Sequence, residues 1–159
     1  QSSVPLLEVS DEQFDRTWRV NTLASFWFMQ ASHPHLLARG GGSIINFGSG
    51  AGTAGLPGEA PYAAAKEAIR GLSRVAANEW GPQGIRVNVI CPFANSPGMQ
   101  SWSQVDPKGY EALVKRIPLR RVGDCEADIG RTAVYLASED AAYVTGQTLM
   151  VDGGMGSFR

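Results

Sequence analysis

Tyr62 and Lys66 stand four residues apart at the head of an alanine-rich stretch, and Ser49 precedes the tyrosine by thirteen residues. Residues at i and i+4 share one helix face, so this spacing sets an ammonium beside a phenol. A free tyrosine titrates near pH ~10 and is a poor base at neutrality. A neighbouring cation favours the phenolate and brings such a group toward the range where it exchanges a proton with a carbonyl or alcohol oxygen efficiently. A serine hydroxyl close by would hold that oxygen and stabilise the charge it develops. With 4 Tyr and three Lys (Lys66, Lys108, Lys115) in 159 residues, random placement gives roughly 0.08 such pairs. The plain alternative is a tyrosine packed near a solvated lysine on an ordinary helix, so the surroundings decide.

Those surroundings alternate helix and strand. Ser10-Asp-Glu-Gln13 is a capping-box start, Ser at N-cap and Gln at N3, for a helix running toward His33. Pro34 and the Gly40-Gly41-Gly42 run are expected to end it and turn the chain into a strand at 43–47. A second helix over 62–80 is stopped by Gly81, Pro82 and Gly84, and a second strand follows at 85–90. Residues 95–122 read as a long connection with a short helix at 107–116. Asp124 caps a helix ending near Ala137, and 147–151 is a last strand. Such alternation implies an α/β fold with a parallel sheet covered on both faces. One pattern is misleading. Gly50-Ala-Gly52-Thr-Ala-Gly55 spells GxGxxG after a strand, but Pro57, Gly58 and Pro61 delay the next helix until near Tyr62. Glu79 falls at the end of that helix rather than after a second strand. These glycines are expected to let a loop bend around the substrate oxygen.

Five segments in order resemble the short-chain dehydrogenase/reductase family over essentially the whole chain. They are Trp18-Arg-Val-Asn21, Gly42-Ser-Ile-Ile-Asn-Phe-Gly-Ser-Gly, Tyr62-Ala-Ala-Ala-Lys66, Gly84-Ile-Arg-Val-Asn-Val-Ile-Cys-Pro92 and Tyr143-Val-Thr-Gly-Gln-Thr-Leu-Met-Val-Asp-Gly-Gly154. The resemblance implies the C-terminal part of a Rossmann-like, doubly wound parallel sheet, about three strands with flanking helices. It implies hydride transfer between NAD or NADP and a secondary alcohol or its ketone. Tyr62 resembles the acid/base. Lys66 is similar to the residue that depresses the tyrosine's pKa and bonds the nicotinamide ribose, and Ser49 to the group that orients the substrate oxygen. Asn21 resembles the residue that holds a water linking the lysine to solvent; otherwise it is a mid-helix asparagine facing water. Pro92 begins the cofactor-facing loop. There the chain departs from the family pattern and reads Pro92-Phe-Ala-Asn-Ser-Pro-Gly-Met99. Without a gap Asn95 takes the carboxamide position and Pro97 replaces a threonine; with one residue deleted Ser96 takes the threonine's place. Phe93 is bulky where the backbone normally approaches the cofactor.

The family's opening strand, glycine-rich turn and ribose selector are not among these residues. The expectation is therefore one incomplete domain over 1–159, a catalytic half lacking about three β-α units, on the order of ninety residues. Three readings follow: the catalytic half of an oxidoreductase, a truncated binding or oligomerisation module, or one part of a split enzyme. The selector between NAD and NADP would lie in the absent half. Ala63, Ala64, Ala65, Ala68, Ala76 and Ala77 leave the second helix thin, compatible with the family's four-helix subunit interface and a homo-oligomer, dimer or tetramer. Trp102, Val105, Tyr110 and Leu113 suggest an apolar lid over a small-molecule alcohol or ketone. The net charge of −1 and the lack of a basic stripe argue against nucleic acid. No run reaches 18 apolar residues, so no membrane span is expected. Cys91 and Cys125 are too few and isolated for a disulfide frame or a metal site, and read as thiols in a reducing cytosol. His33 and His35 flank Pro34 and read as helix-end residues without further metal ligands.

Overall fold

The computed structural model describes residues 3–156; residues 1, 2 and 157–159 of the expected domain lie outside them. The expected capping box is present. Ser10 Oγ accepts from the Gln13 amide at 3.2 Å and Gln13 Oε1 accepts from the Ser10 amide at 3.1 Å. They open α1 (Asp11–Trp18), which runs through a π-helical turn (Arg19–Leu23) into α2 (Ala24–Ala38). Pro34 does not end this helix as expected; it sits inside α2. The helix passes the missing N–H and stops where glycines permit, at Gly40, Gly41 and Gly42. Gly40 has φ 82° and Gly41 131°. A Cβ on Gly41 would lie 2.5 Å from the Gly84 carbonyl, to which the Gly42 amide donates. Two glycine turns thus touch at the amino ends of two strands.

β1 (Gly42–Phe47) and β2 (Ile85–Pro92) pair in parallel from Gly42↔Ile85 to Phe47↔Ile90. β3 (Thr148–Val151) pairs in parallel with β2 from Val89↔Thr148 to Pro92↔Val151, giving the order β1-β2-β3. β2 is buried on both faces, as a β-branched run in a covered parallel sheet must be. Ile85 and Val87 pack with Met29, Ala76 and Ala77 from α2 and α4 (Ala60–Trp80). Ile90, on the opposite face, packs with Ile129, Leu136 and Ala141. Each such fully buried isoleucine contributes about 1.5–3 kcal/mol relative to exposure. The last layer is a π-helical turn (Cys125–Gly130) capped by Asp124, continuing into α7 (Arg131–Ala137). Asn88 is fully buried in the middle of β2. Its Nδ2 donates to the Val144 carbonyl at 2.8 Å and its Oδ1 accepts from the Gln147 amide at 3.0 Å, tying the approach to β3 into the sheet.

Two further expectations need correcting. The glycine-rich stretch after β1 does not form a bending loop but a short helix, α3 (Gly50–Ala54), ended by Gly55 at φ 62°. Small residues let its backbone lie against α4. The connection after β2 carries two helices, α5 (Pro97–Val105) and α6 (Pro107–Arg116), where one was expected. Ser96 at the N-cap and Pro97 in the first turn of α5 supply the start signal that was passed over.

Candidate active site

Every expected site residue except Asn21 lies at or just beyond the carboxyl ends of the strands, or on the first turns of α4. Open α/β sheets bind ligands at that end. Lys66 Nζ donates to the Phe47 carbonyl, the last of β1, at 3.1 Å. The same ammonium lies 5.5 Å from the centre of the Tyr62 ring. The i, i+4 spacing therefore sets the ammonium over the Tyr62 ring, with both side chains half-buried. Burial holds the Lys66 ammonium below its ordinary value of 10.5, against a smaller opposing effect of Cys91. Cys91 is itself fully buried near the end of β2; burial raises its thiol, and the neighbouring Arg70 works the other way. Gly48 exists for this crowding, since a Cβ there would meet Cys91 Sγ at 2.6 Å.

Ser49 follows directly and is the N-cap of α3, its Oγ accepting from the Ala51 amide at 3.1 Å. An accepting hydroxyl keeps its own proton to donate. Because α3 packs on α4, the cap fixes this donor on the same side of the sheet as Tyr62.

Asn21 falls within the π-helical turn, a local widening of the helix found often at functional sites. Asn21 is half-buried, and its Nδ2 donates to the Thr17 carbonyl one turn back at 3.0 Å, a local bond open to any mid-helix asparagine. Among the described residues no hydrogen bond joins Asn21 to Lys66. Instead Asn21 lines a cleft of about 340 Å³ with Gln13, Arg16, Gly58 and Pro61. Its neighbour Thr22 is buried and donates to the Ala65 carbonyl at 3.2 Å, which pins the π turn to α4 one residue before Lys66.

On the far side, Pro92 is the last paired residue of β2. Phe93 continues the ladder through its amide to the Val151 carbonyl at 2.9 Å, and Ala94 bridges Gly123. The bulky side chain therefore does not disturb the strand. The Asn95 amide donates to the Gly123 carbonyl, and Ser96 Oγ caps α5 by accepting from Met99 N at 3.3 Å. Beyond them Trp102 and Tyr110 meet edge to face with ring centres 6.0 Å apart, joining α5 to α6. The chain returns through Arg121, whose guanidinium grips both oxygens of Asp128, while the Asp124 amide donates to the same carboxylate. Those bonds hold Asp128 well below the usual carboxylate range. Asp152, after β3, is buried and accepts from the Gly154 and Gly156 amides at 2.9 and 2.7 Å. Read from sequence, Asp152 and α3 take no part in the site and Cys91 is only an isolated thiol. Only α3 carried a local signal, a serine opening a run of small residues.

A family model described as enoyl-(acyl carrier protein) reductase matches residues 1–156. The 12alpha-hydroxysteroid dehydrogenase of Clostridium sp. is 45% identical over 155 residues, covering 98% of this chain and 60% of that protein. The (S)-acetoin-forming diacetyl reductase of Staphylococcus aureus is 36% identical over 163 residues, with 96% and 63% covered. A structure from Agrobacterium tumefaciens, assigned as a 2-deoxy-D-gluconate 3-dehydrogenase and holding NADP, superposes with a TM-score of 0.89. It is 36% identical, with 97% of this chain and 63% of that one covered. The chain belongs to the short-chain dehydrogenase/reductase family of oxidoreductases. It spans about 60% of the length of the 12alpha-hydroxysteroid dehydrogenase. Among the described residues no helix is long and apolar enough to cross a membrane, and no group of three His, Cys, Asp or Glu side chains could hold a metal ion.

Proposed function

We propose that these residues form the catalytic half of a nicotinamide-dependent oxidoreductase that interconverts a secondary alcohol and its ketone. The observation that carries this reading is the Lys66 ammonium, bonded to the last carbonyl of β1 and 5.5 Å from the Tyr62 ring, at the ligand-binding end of a parallel sheet. NAD or NADP, when bound, supplies or takes the hydride at the substrate carbon. In the reducing direction Tyr62 gives its phenolic proton to the carbonyl oxygen; in oxidation it takes the proton from the alcohol. Lys66 stabilises the resulting phenolate. One of its three N–H donors holds Phe47, leaving two for the nicotinamide ribose. Ser49 donates to the substrate oxygen while its own oxygen stays fixed by Ala51. Asn21 supports a water between Lys66 and solvent, and Pro92, Asn95 and Ser96 border the nicotinamide. Donors remaining at Lys66 and Ser49 beside the end of β1, and at Ser96 beyond the end of β2, suit a ligand rich in hydroxyls and carboxamide. The phosphate-binding strand-turn-helix and the selector between NAD and NADP belong outside these 159 residues. We further propose a homo-oligomer acting in the cytoplasm on a small alcohol or ketone; the hydroxysteroid and diacetyl relatives set the range of substrates to try.

The test is Tyr62→Phe in the protein carrying this chain, assayed with NADH and NADPH against a ketone panel that includes a steroid ketone and diacetyl. A fall in kcat of about 10²–10⁴-fold with unchanged thermal unfolding is expected. Near-normal turnover would remove Tyr62 from the role.

A further inference from the structure

Glu67 and Arg70 flank the Ser49 turn from below, and nothing in the site described so far uses them. Arg70 donates through Nη1 to Glu67 Oε2 and through Nε to Thr148 Oγ1 at 3.3 Å, so one side chain links α4 to β3. The other Glu67 oxygen, Oε1, is buried and makes no hydrogen bond. It faces α3: a Cβ on Gly52 would lie 2.7 Å from Oε1 and 3.2 Å from the Ala63 carbonyl. On the other side of Ser49, a Cβ on Gly48 would lie 3.6 Å from Arg70 Cγ. An i,i+3 pair on a solvated helix face does little. In this one the Arg70 side chain is mostly buried and the Glu67 side chain 41% exposed, but the buried Glu67 Oε1 lies against a five-residue helix whose N-cap is the proposed substrate-orienting hydroxyl.

We propose that Glu67 and Arg70 are positioning residues that seat α3 on α4 and thereby fix the Ser49 hydroxyl relative to Tyr62. The seat rests on contacts within this chain; its catalytic consequence rests on the function proposed above. Five residues are too short a helix to hold its own shape in water. Its geometry has to come from what it lies on. A side chain at Gly52 would displace Glu67, and loss of Glu67 would leave α3 without its floor.

Two measurements test this. In the first, amide hydrogen exchange is followed by NMR. Glu67→Ala is expected to speed exchange at Ala51, Gly52 and Leu56 by about tenfold or more while Ile69 to Ala77 in α4 stay protected. Glu67→Gln, which keeps the size and an acceptor for Arg70, is expected to stay near wild type. Unchanged exchange in α3, or an equal rise throughout α4, would overturn the seat. In the second, oxidation of NADH or NADPH, whichever the protein carrying this chain accepts, is followed with diacetyl as the probe ketone. Glu67→Ala is expected to lower kcat about tenfold with KM changed less, and to have under about twofold effect in a Ser49→Ala background, because the two act as one unit. The same tenfold loss in both backgrounds would mean that Glu67 does not work through Ser49. If the protein carrying this chain oxidises neither NADH nor NADPH with any ketone tried, the proposed function falls, and the exchange data alone decide the seat.

Discussion

At Ser49 a single oxygen accepts the Ala51 amide and keeps a proton to give away. Removing that oxygen therefore has two separable effects. Ser49→Ala is expected to lower kcat by about 10²-fold if the hydroxyl stabilises the developing charge. It should also cost about 1 kcal/mol of stability through the lost cap. Ser49→Thr keeps both functions and should restore most of each; equal loss in both variants would mean that the hydroxyl plays neither part. Lys66 gives a second test at this scale. Burial depresses its folded-state value below 10.5, so between the two values the unfolded chain binds more protons and stability rises with pH. The cost of holding a charged ammonium there is present in full below the lowered folded-state value and is relieved on the way to 10.5. Lys66→Met removes the group, so the stability gap between wild type and variant should shift in favour of wild type as pH rises through that window. Urea unfolding at several alkaline pH values measures the slope; a flat difference would contradict the burial.

Pro34 shows how an element can outlast a local breaker. The N–H it lacks leaves one carbonyl of α2 without its helical partner, and the helix nonetheless runs on to Ala38. Pro34→Ala should restore that bond and raise the unfolding free energy by as much as about 3 kcal/mol, read from urea midpoints; a loss of stability would mean that the bend itself is needed. Most elements were legible because each carries its own punctuation: Ser10 with Gln13, the triple glycine before β1, Gly84 before β2, Asp124 before the last helix. The pairing of Tyr62 with Lys66 was legible for the same reason, being fixed within one helix turn. What stayed hidden depends on contact across elements. Helix α3 exists because Gly52 can lie on Glu67, and the π turn at Asn21 is held in place through Thr22 and the Ala65 carbonyl. The Arg121–Asp128 clasp after α6 is another such contact. Its carboxylate is depressed by the guanidinium, so its stabilising effect is complete above the ordinary 3.8 and fades as pH falls below it. Asp128→Asn should flatten that acid dependence in thermal unfolding and quicken amide exchange across residues 121–124.

In the described sheet β1 pairs with β2 alone, leaving its outer row of N–H and carbonyl groups open. Val20, Trp27 and Phe28 on the first long helix and Val75 on α4 are also exposed. An open parallel edge beside apolar helix faces is a template for association. Material made of these 159 residues alone should therefore self-associate with rising concentration in light scattering and show no turnover with NADH or NADPH. A monodisperse monomer would contradict the first expectation, and measurable turnover the second. Such a molecule also has to avoid assembling wrongly, and here Asn88 matters. It strengthens the native pairing only modestly, since each of its two bonds replaces one made to water. Its larger effect is on mistakes. If β3 slid along β2, the amide would be sealed inside the sheet with a donor and an acceptor and no counterpart for either, at a cost of a few kcal/mol. The penalty falls on wrong alignments alone, so Asn88 acts as a proofreader. By keeping Val151 opposite Pro92 it sets where the chain leaves the sheet after β2 and after β3.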